Sequence, residues 1–300
     1  MSTLQAISPP ESCKAFTAKL RDYYTLTKPE VNLLILMTTS AGYVLGSTGS
    51  VRIAGLINTI MGTLLVASGT ATLNQFMERV YDGRMRRTSN RPLPAGRLEA
   101  REAFWFGILL SIAGGLYLLL TVNALSSLLA VSTLLSYLLV YTPLKRKTHL
   151  CTLLGAIPGG MPILIGWTGA SGRLNLQAAM LFGVLFLWQF PHFLAIAMMY
   201  REDYERAGYK MLPASDPAAR FTRAEIVGFT IALIALTATC TSVTGGGVGY
   251  LIGIIALGAF LLYHSVRLAI YGSRPAASRL LHASVIYLPA VLVIMVASKK

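Results

Sequence analysis

Apolar residues run along this chain in long unbroken blocks, and the polar residues gather between them. A bilayer core takes roughly 17–25 apolar residues per helix. Nine runs meet that length: residues 31–47, 53–77, 102–121, 123–141, 150–170, 176–199, 224–245, 247–269 and 278–297. The pattern predicts an all-α polytopic membrane protein, with nine transmembrane helices in a single bundle. It divides the chain into a polar N-terminal segment, 1–30, and an integral-membrane domain, 31–300. The turns at 122–123 and 245–247 are short and uncharged, so the helices flanking each should form antiparallel hairpins. Residues 1–30 hold no apolar core followed by a small-residue cleavage site, so no cleavable signal is expected and the first span should act as its own insertion signal.

Composition agrees with the pattern. Of the 300 residues, 54% are apolar and 13% charged, against about 25% charged in soluble domains. That excludes a disordered chain, a disulfide scaffold and an ordinary soluble enzyme. Cys13, Cys151 and Cys240 are scattered and odd in number, which makes neither a disulfide framework nor a metal motif. Cys151 and Cys240 are expected within spans as small packing residues.

The net charge of +14 would point to nucleic acid in a soluble protein. Here its distribution says otherwise. With the N-terminus placed in the cytoplasm, 22 of the 26 Lys and Arg fall on the inner side, as the positive-inside rule requires. All twelve acids, from Glu11 to Glu225, fall on that side or at the inner end of a span. The charge therefore reads as topology, no nucleic acid is expected, and the polar chemistry should sit at the cytoplasmic face. A weak internal echo supports this, because the second and sixth spans each run into a long charged inner loop.

The first of these loops carries a specific pattern. Asn74, Glu78 and Asp82 recur every four residues, and on a helix each such step advances about 40° past a full turn. The three side chains thus form one stripe at the inner end of the second span. Two carboxylates and an amide make a hard oxygen set suited to Mg²⁺, which proteins bind through one or two carboxylates plus substrate phosphates. Arg84, Arg86, Arg87 and Arg91 follow, and guanidinium forks match phosphate oxygens. A solvated helix end with acid–base pairs would explain the arginines, but not a stripe reaching back to Asn74 inside an apolar helix.

Two further clusters lie on the same side. Tyr141-Thr-Pro-Leu-Lys145-Arg146-Lys147 follows the fourth span and offers either a plain basic loop or a cationic grip on a leaving diphosphate. The stretch from Tyr200 to Pro213, with Glu202, Asp203, Tyr204 and Glu205, closes the sixth span. Its spacing alone does not separate helix-end pairing from a second binding site. His192 lies within the sixth span after Pro191, where it could bond a freed backbone carbonyl or contact haem. His264 and His282 read as packing residues. The run Gly155-Ala-Ile-Pro158-Gly-Gly-Met-Pro162 should distort the fifth span, and irregular backbone at that depth is tolerated only where it is buried or lines a cavity.

The stripe Asn74-x-x-x-Glu78-x-x-x-Asp82 resembles the first acidic motif of the UbiA-type intramembrane prenyltransferases. Its continuation, Asp82-x-x-Met85-x-Arg87-Thr88-x-x-Arg91-Pro92-Leu93-Pro94, is similar to the haem O synthase branch, the protohaem IX farnesyltransferases. Three other segments agree: Leu26-Thr27-Lys28-Pro29, Tyr141-Thr-Pro-Leu-Lys145-Arg146, and Asp203-Tyr204-x-x-Ala207-Gly208-x-x-Met211-Leu212-Pro213. The resemblance implies nine helices around a central cavity and Mg²⁺-dependent transfer of a farnesyl group from farnesyl diphosphate to protohaem IX. It implies that Asn74, Glu78 and Asp82 coordinate Mg²⁺ and diphosphate, and that Arg87, Arg91, Lys145 and Arg146 neutralise phosphate oxygens. Asp203, with Glu202, would serve a second metal site. Tyr141 and Tyr204 would line the substrate site, and His192 would lie near the haem. Two departures stand out: Glu78 replaces the Asp common in the superfamily, and the third cluster lacks regular four-residue acid spacing.

Other readings remain at this level. A prenyltransferase acting on an aromatic quinone precursor would share the metal stripe. A transporter for an anionic metabolite would also want charge at one end of a bundle, but the outer loops here are short and nearly uncharged. A haem-binding assembly factor would not need a metal stripe. The acids Glu11 and Asp22 make a mitochondrial transit segment unlike this N-terminus, which points to a bacterial cytoplasmic membrane. The resemblance adds haem A synthase or a terminal oxidase as possible partners.

Overall fold

The computed structural model describes residues 11–212, 216 and 219–299, with the side chains of 11–15 set aside. Among the described residues every regular element is helical. In chain order they are α1 (Glu11–Leu26), α2 (Pro29–Gly46), α3 (Ile53–Asp82), α4 (Ala100–Thr121), α5 (Ala124–Leu144), α6 (Cys151–Ser171), α7 (Leu176–Met199), the short α8 (Arg201–Ala207), α9 (Arg220–Thr244), α10 (Val248–Tyr271) and α11 (Arg274–Ala297). Helix α5 contains a π-helical turn at Ser136–Tyr141, and α9 is interrupted at Cys240. Pro213 and the side chain of Cys13, both singled out in the sequence, fall outside what is described.

Eight of these helices, α3 to α7 and α9 to α11, are long and apolar enough to cross a membrane. Helix α2, read from the pattern as the first of nine spans, is not among them. It has 18 residues, about 27 Å at 1.5 Å per residue, and it carries Glu30 in its first turn and Asn32, Thr38 and Thr39 on its buried face. Those polar residues, in a helix of the minimum length, keep it from counting as a span by length and composition. Gly42 and Gly166 let α2 and α6 touch backbone to backbone: a Cβ on Gly166 would stand 1.9 Å from the Thr39 carbonyl oxygen, and one on Gly42 2.2 Å from that of Ile163. Small residues at such crossings are how membrane helices approach closely.

The same packing answers the expectation of a distorted fifth span. Helix α6 runs unbroken through Pro158 and Pro162. Beside the prolines, Gln189 of α7 donates its amide to the Ala156 carbonyl at 2.9 Å, tying α7 to this part of α6. One large core joins α2, α6, α7, α9, α10 and α11, while α3 and α4 pair beside it. Cys151 and Cys240 are buried free thiols, as their packing role requires.

Helix α1 is an addition to the sequence pattern, which left 1–30 as a polar segment. It is tied to the start of α4 by Lys19–Glu102 at 2.7 Å and by the Tyr23–Phe106 edge contact. Asp22–Arg97 at 3.0 Å holds it to the loop after α3.

Candidate functional site

Helix α3 is 30 residues long, about 45 Å, and so outruns a hydrocarbon core of about 30 Å. Its last turns carry Asn74, Glu78 and Asp82 on one face, all buried. The stripe read from the sequence is present, and each member meets a group from elsewhere in the chain.

Glu78 is held by Lys145, whose Nζ donates to Oε1 at 2.9 Å and to Oε2 at 3.2 Å. The side chains are only 8% and 12% exposed. Asn74 donates to Glu78 Oε2 at 3.0 Å and to the Thr142 hydroxyl at 3.1 Å, and accepts at Oδ1 from Lys28 Nζ at 3.0 Å. Asp82 pairs with Arg91 at 2.7 Å, and its backbone carbonyl accepts from the Thr88 hydroxyl at 2.8 Å. A second link of this stretch therefore folds back on the stripe, with Arg91 returning to the acid nine residues before it.

The π turn of α5 immediately precedes the turn that carries Lys145. An extra residue in the turn changes the direction in which the following side chains leave the helix, and such bulges recur at functional sites. The Thr142 hydroxyl donates to the Tyr137 carbonyl at 2.9 Å within it. Lys145 Nζ then lies 4.6 Å from the Tyr141 ring centre and 5.9 Å from that of Tyr209. Arg146 donates to the Tyr81 hydroxyl and lies over its ring at 4.6 Å.

The third cluster joins the same wall. Lys210 N–H donates to the Lys145 carbonyl at 2.7 Å. Met85, Ala207 and Tyr209 form a small buried core against which Tyr81, Tyr204 and Met211 pack. Asp203 pairs with Arg206 at 3.1 Å and accepts from the Arg86 N–H at 3.4 Å, linking α8 to the loop after α3. Arg87 lies 5.1 Å over the Tyr200 ring and is exposed, as is Glu202. His192 is not brought to this cluster. Its Nδ1 shares a hydrogen bond with the Ser284 hydroxyl at 2.8 Å and its ring stacks on Trp188 at 4.7 Å, the local partnership that a mid-span histidine needs.

Three site residues escaped the sequence reading. Lys28 was a motif letter without a role, Thr142 lay hidden between Tyr141 and Lys145, and Tyr209 carried no charge to flag it. Burial, with Arg91 next, pushes the Lys28 ammonium down to about 7. Burial, with the Glu78 charge next, also raises the Tyr209 phenol, whose buried hydroxyl faces that carboxylate.

Whether these residues fit a metal is decided by their donor chemistry. Among the described residues no three His, Cys, Asp or Glu side chains gather into a cage, which argues against a metal held by protein alone. Glu78 and Asp82 instead offer two carboxylates beside Lys28, Lys145 and Arg91. That set fits Mg²⁺ shared with substrate phosphates, the cations taking the remaining phosphate charge.

Comparison with known proteins gives a concordant picture. The model of the UbiA prenyltransferase family matches residues 35–286. A protoheme IX farnesyltransferase from Solibacter usitatus (strain Ellin6076) is 47% identical over 285 residues, covering 92% of this chain and 98% of its own length. One from Salinibacter ruber (strain DSM 13855 / M31) is 41% identical over 279 residues, covering 92% and 98%. Among solved structures, a digeranylgeranylglyceryl phosphate synthase superposes with a TM-score of 0.77 at 18% identity, covering 94% of this chain and 98% of its own. A UbiA homologue from Archaeoglobus fulgidus bound to DMAPP and Mg²⁺ gives 0.63 at 14% identity, covering 91% and 99%. The overall helical arrangement is thus that of these membrane prenyltransferases.

Proposed function

This chain belongs to the UbiA prenyltransferase family, within its protoheme IX farnesyltransferase branch, and from that premise we propose that it transfers a farnesyl group from farnesyl diphosphate to a vinyl group of protohaem IX, giving haem O. The observation that carries the reading is the pair of buried carboxylates, Glu78 and Asp82, each gripped by a cation from a different stretch of chain at the end of a long apolar helix. Such an arrangement suits a diphosphate whose hydrocarbon tail lies in the bilayer-spanning part of the protein.

In this reading Glu78 and Asp82, with Asn74 beside them, hold Mg²⁺, and Asp203 with Glu202 serves a second ion. The ion supplies charge neutralisation at the diphosphate oxygens. Lys145, Arg91, Arg146 and Arg87 take up the negative charge that grows on the leaving group as the farnesyl C–O bond breaks. Its electron pair departs with the diphosphate. The vinyl π electrons attack the farnesyl C1, forming the carbon–carbon bond. Water adds to the cation left on the vinyl side chain and loses a proton, which completes a hydroxyethylfarnesyl group. Tyr141 and Tyr204, in the wall around Lys145, exclude bulk water from the cleaving bond. His192 takes no part in the diphosphate chemistry.

The finer topology belongs to the same proposal. We take α2 as the ninth span, the N-terminus as cytoplasmic and the bundle as lying in a bacterial cytoplasmic membrane, supported by the 22 of 26 basic residues that then face inward. Haem A synthase or an oxidase assembly protein would receive the product.

The test is chemical. Purified protein in detergent, given protohaem, farnesyl diphosphate and Mg²⁺, should yield a haem heavier by a farnesyl group plus water, and EDTA should abolish it. Prenylation of an added aromatic acid with no haem product would replace the acceptor. Absence of both, with no pyrophosphate released by folded protein, would defeat the reading.

A further inference from the structure

Lys28 occupies a backbone position that lysine avoids. It closes α1 and opens α2 with φ 51° and ψ 65°, in the left-handed region where Cβ crowds the backbone. Lys28 and Ala219 are the two non-glycine residues at positive φ among those described. Pro29 bars the right-handed helical region for the residue before it, and at the end of a helix the usual left-handed residue is glycine. A lysine held there against its preference points to a use for its side chain.

The turn is also clamped. Gln75 of α3 donates its amide to the Leu26 carbonyl at 2.8 Å, and Asn32 of α2 donates to the Thr27 carbonyl at 2.9 Å and to Ser68 Oγ at 2.9 Å. Both amides are buried. Gln75 is the neighbour of Asn74, so one stretch of α3 fixes the backbone of the turn and receives its side chain.

The consequence lies at Asn74. With Lys28 Nζ on Oδ1, the amide can turn in one sense only, and its NH₂ must face Glu78 Oε2 and Thr142. Glu78 is thereby held from two sides, by Asn74 and by Lys145. We propose that Lys28 is a positioning residue of the diphosphate site: the clamped left-handed turn delivers its ammonium to Asn74, which orients Glu78 toward the metal–diphosphate it receives. This rests on the diphosphate reading above.

The left-handed backbone supplies a discriminating experiment. Lys28→Gly removes the ammonium but suits the turn, so the relief of backbone strain offsets the lost bond to Asn74 and the ligand-free melting temperature should stay close to that of wild type. Its stabilisation by Mg²⁺ with inorganic pyrophosphate, read as a melting shift in detergent, should need on the order of tenfold more Mg²⁺, the scale of losses when a partner behind a metal ligand is removed. Lys28→Met should show the same loss, and Lys28→Arg should restore part of it. The Mg²⁺ needed for half-maximal turnover should move in parallel, with farnesyl diphosphate saturating. A lysine serving the fold alone would lower the ligand-free melting temperature and leave the Mg²⁺ dependence unchanged, and that result would overturn the proposal. If the wild-type protein itself gains no stability from Mg²⁺ and pyrophosphate, the diphosphate reading falls and the role of Lys28 falls with it.

Discussion

Two acid–base clusters lie side by side in this molecule, and they differ in almost everything except composition. At the end of α3, Glu78 and Asp82 are 8% and 2% exposed and bond to cations that are 67 and nine residues away. On α8, Glu205 is 45% exposed and pairs with Arg201 one turn away, while Asp203 is intermediate at 13%. Exposed pairs at helical spacing contribute a few tenths of a kcal/mol. Buried charges are costly unless paired, and removing one partner leaves the other stranded. The stripe on α3 thus carries a desolvation cost that its pairing must offset, whereas much of α8 is an ordinary solvated helix. Asp203 is the exception, since it also receives the Arg86 N–H.

The contrast can be broken from its strongest side. Asp82→Asn keeps the shape of a buried side chain but removes the charge opposite Arg91. Turnover to the farnesylated haem should fall on the order of a thousandfold, the scale for losing a preorganised charged contact, with the protein still folded by circular dichroism. Near-normal turnover would remove Asp82 from the site. Lys145→Met should lower turnover about a hundredfold and also destabilise the protein by about 3–5 kcal/mol, because Glu78 loses its partner. Denaturant melts of Lys145→Met and the Lys145→Met/Glu78→Gln double variant separate these effects: stability should return in the double variant and activity should not.

Asp203→Asn sharpens the comparison by testing the intermediate case. A loss of about tenfold, carried mainly by the Mg²⁺ requirement, is expected if it serves a second ion. A stability change under about 1 kcal/mol with unaltered kinetics would return it to the class of surface pairs. Glu205→Gln is the weakest perturbation. It should change stability by no more than about 0.5 kcal/mol and leave turnover within twofold of wild type. A large loss there would mean that α8 is built into the site as deeply as α3.

Much of this was legible along the chain. The apolar runs located the long helices closely: 176–199 matches α7 at both ends, and 53–77 fell short of α3 only because the helix continues through its polar turns to Asp82. The acid stripe was legible because a four-residue repeat on a helix can face only one way. The clamp on Lys28 was not, since Gln75 and Asn32 are unremarkable letters whose meaning lies in which carbonyls they reach. The π turn at Ser136–Tyr141 was equally hidden, since nothing in Ser-Tyr-Leu-Leu-Val-Tyr marks a change in helical pitch.

What the sequence alone determined is the class of molecule and the end of it where the acid stripe and its arginines gather. These follow from local physics: apolar length against bilayer thickness, and charge against the cost of hydrocarbon. Tertiary structure decided which cation meets which acid. Lys145 reaches Glu78 across 67 residues and Lys28 reaches Asn74 across 46, and no local rule ties such positions together. The same distinction explains α2. Its polar residues Glu30, Asn32, Thr38 and Thr39 are legible in the sequence, whereas the close approach of α2 and α6 at Gly42 and Gly166 depends on a neighbour that only the folded chain supplies.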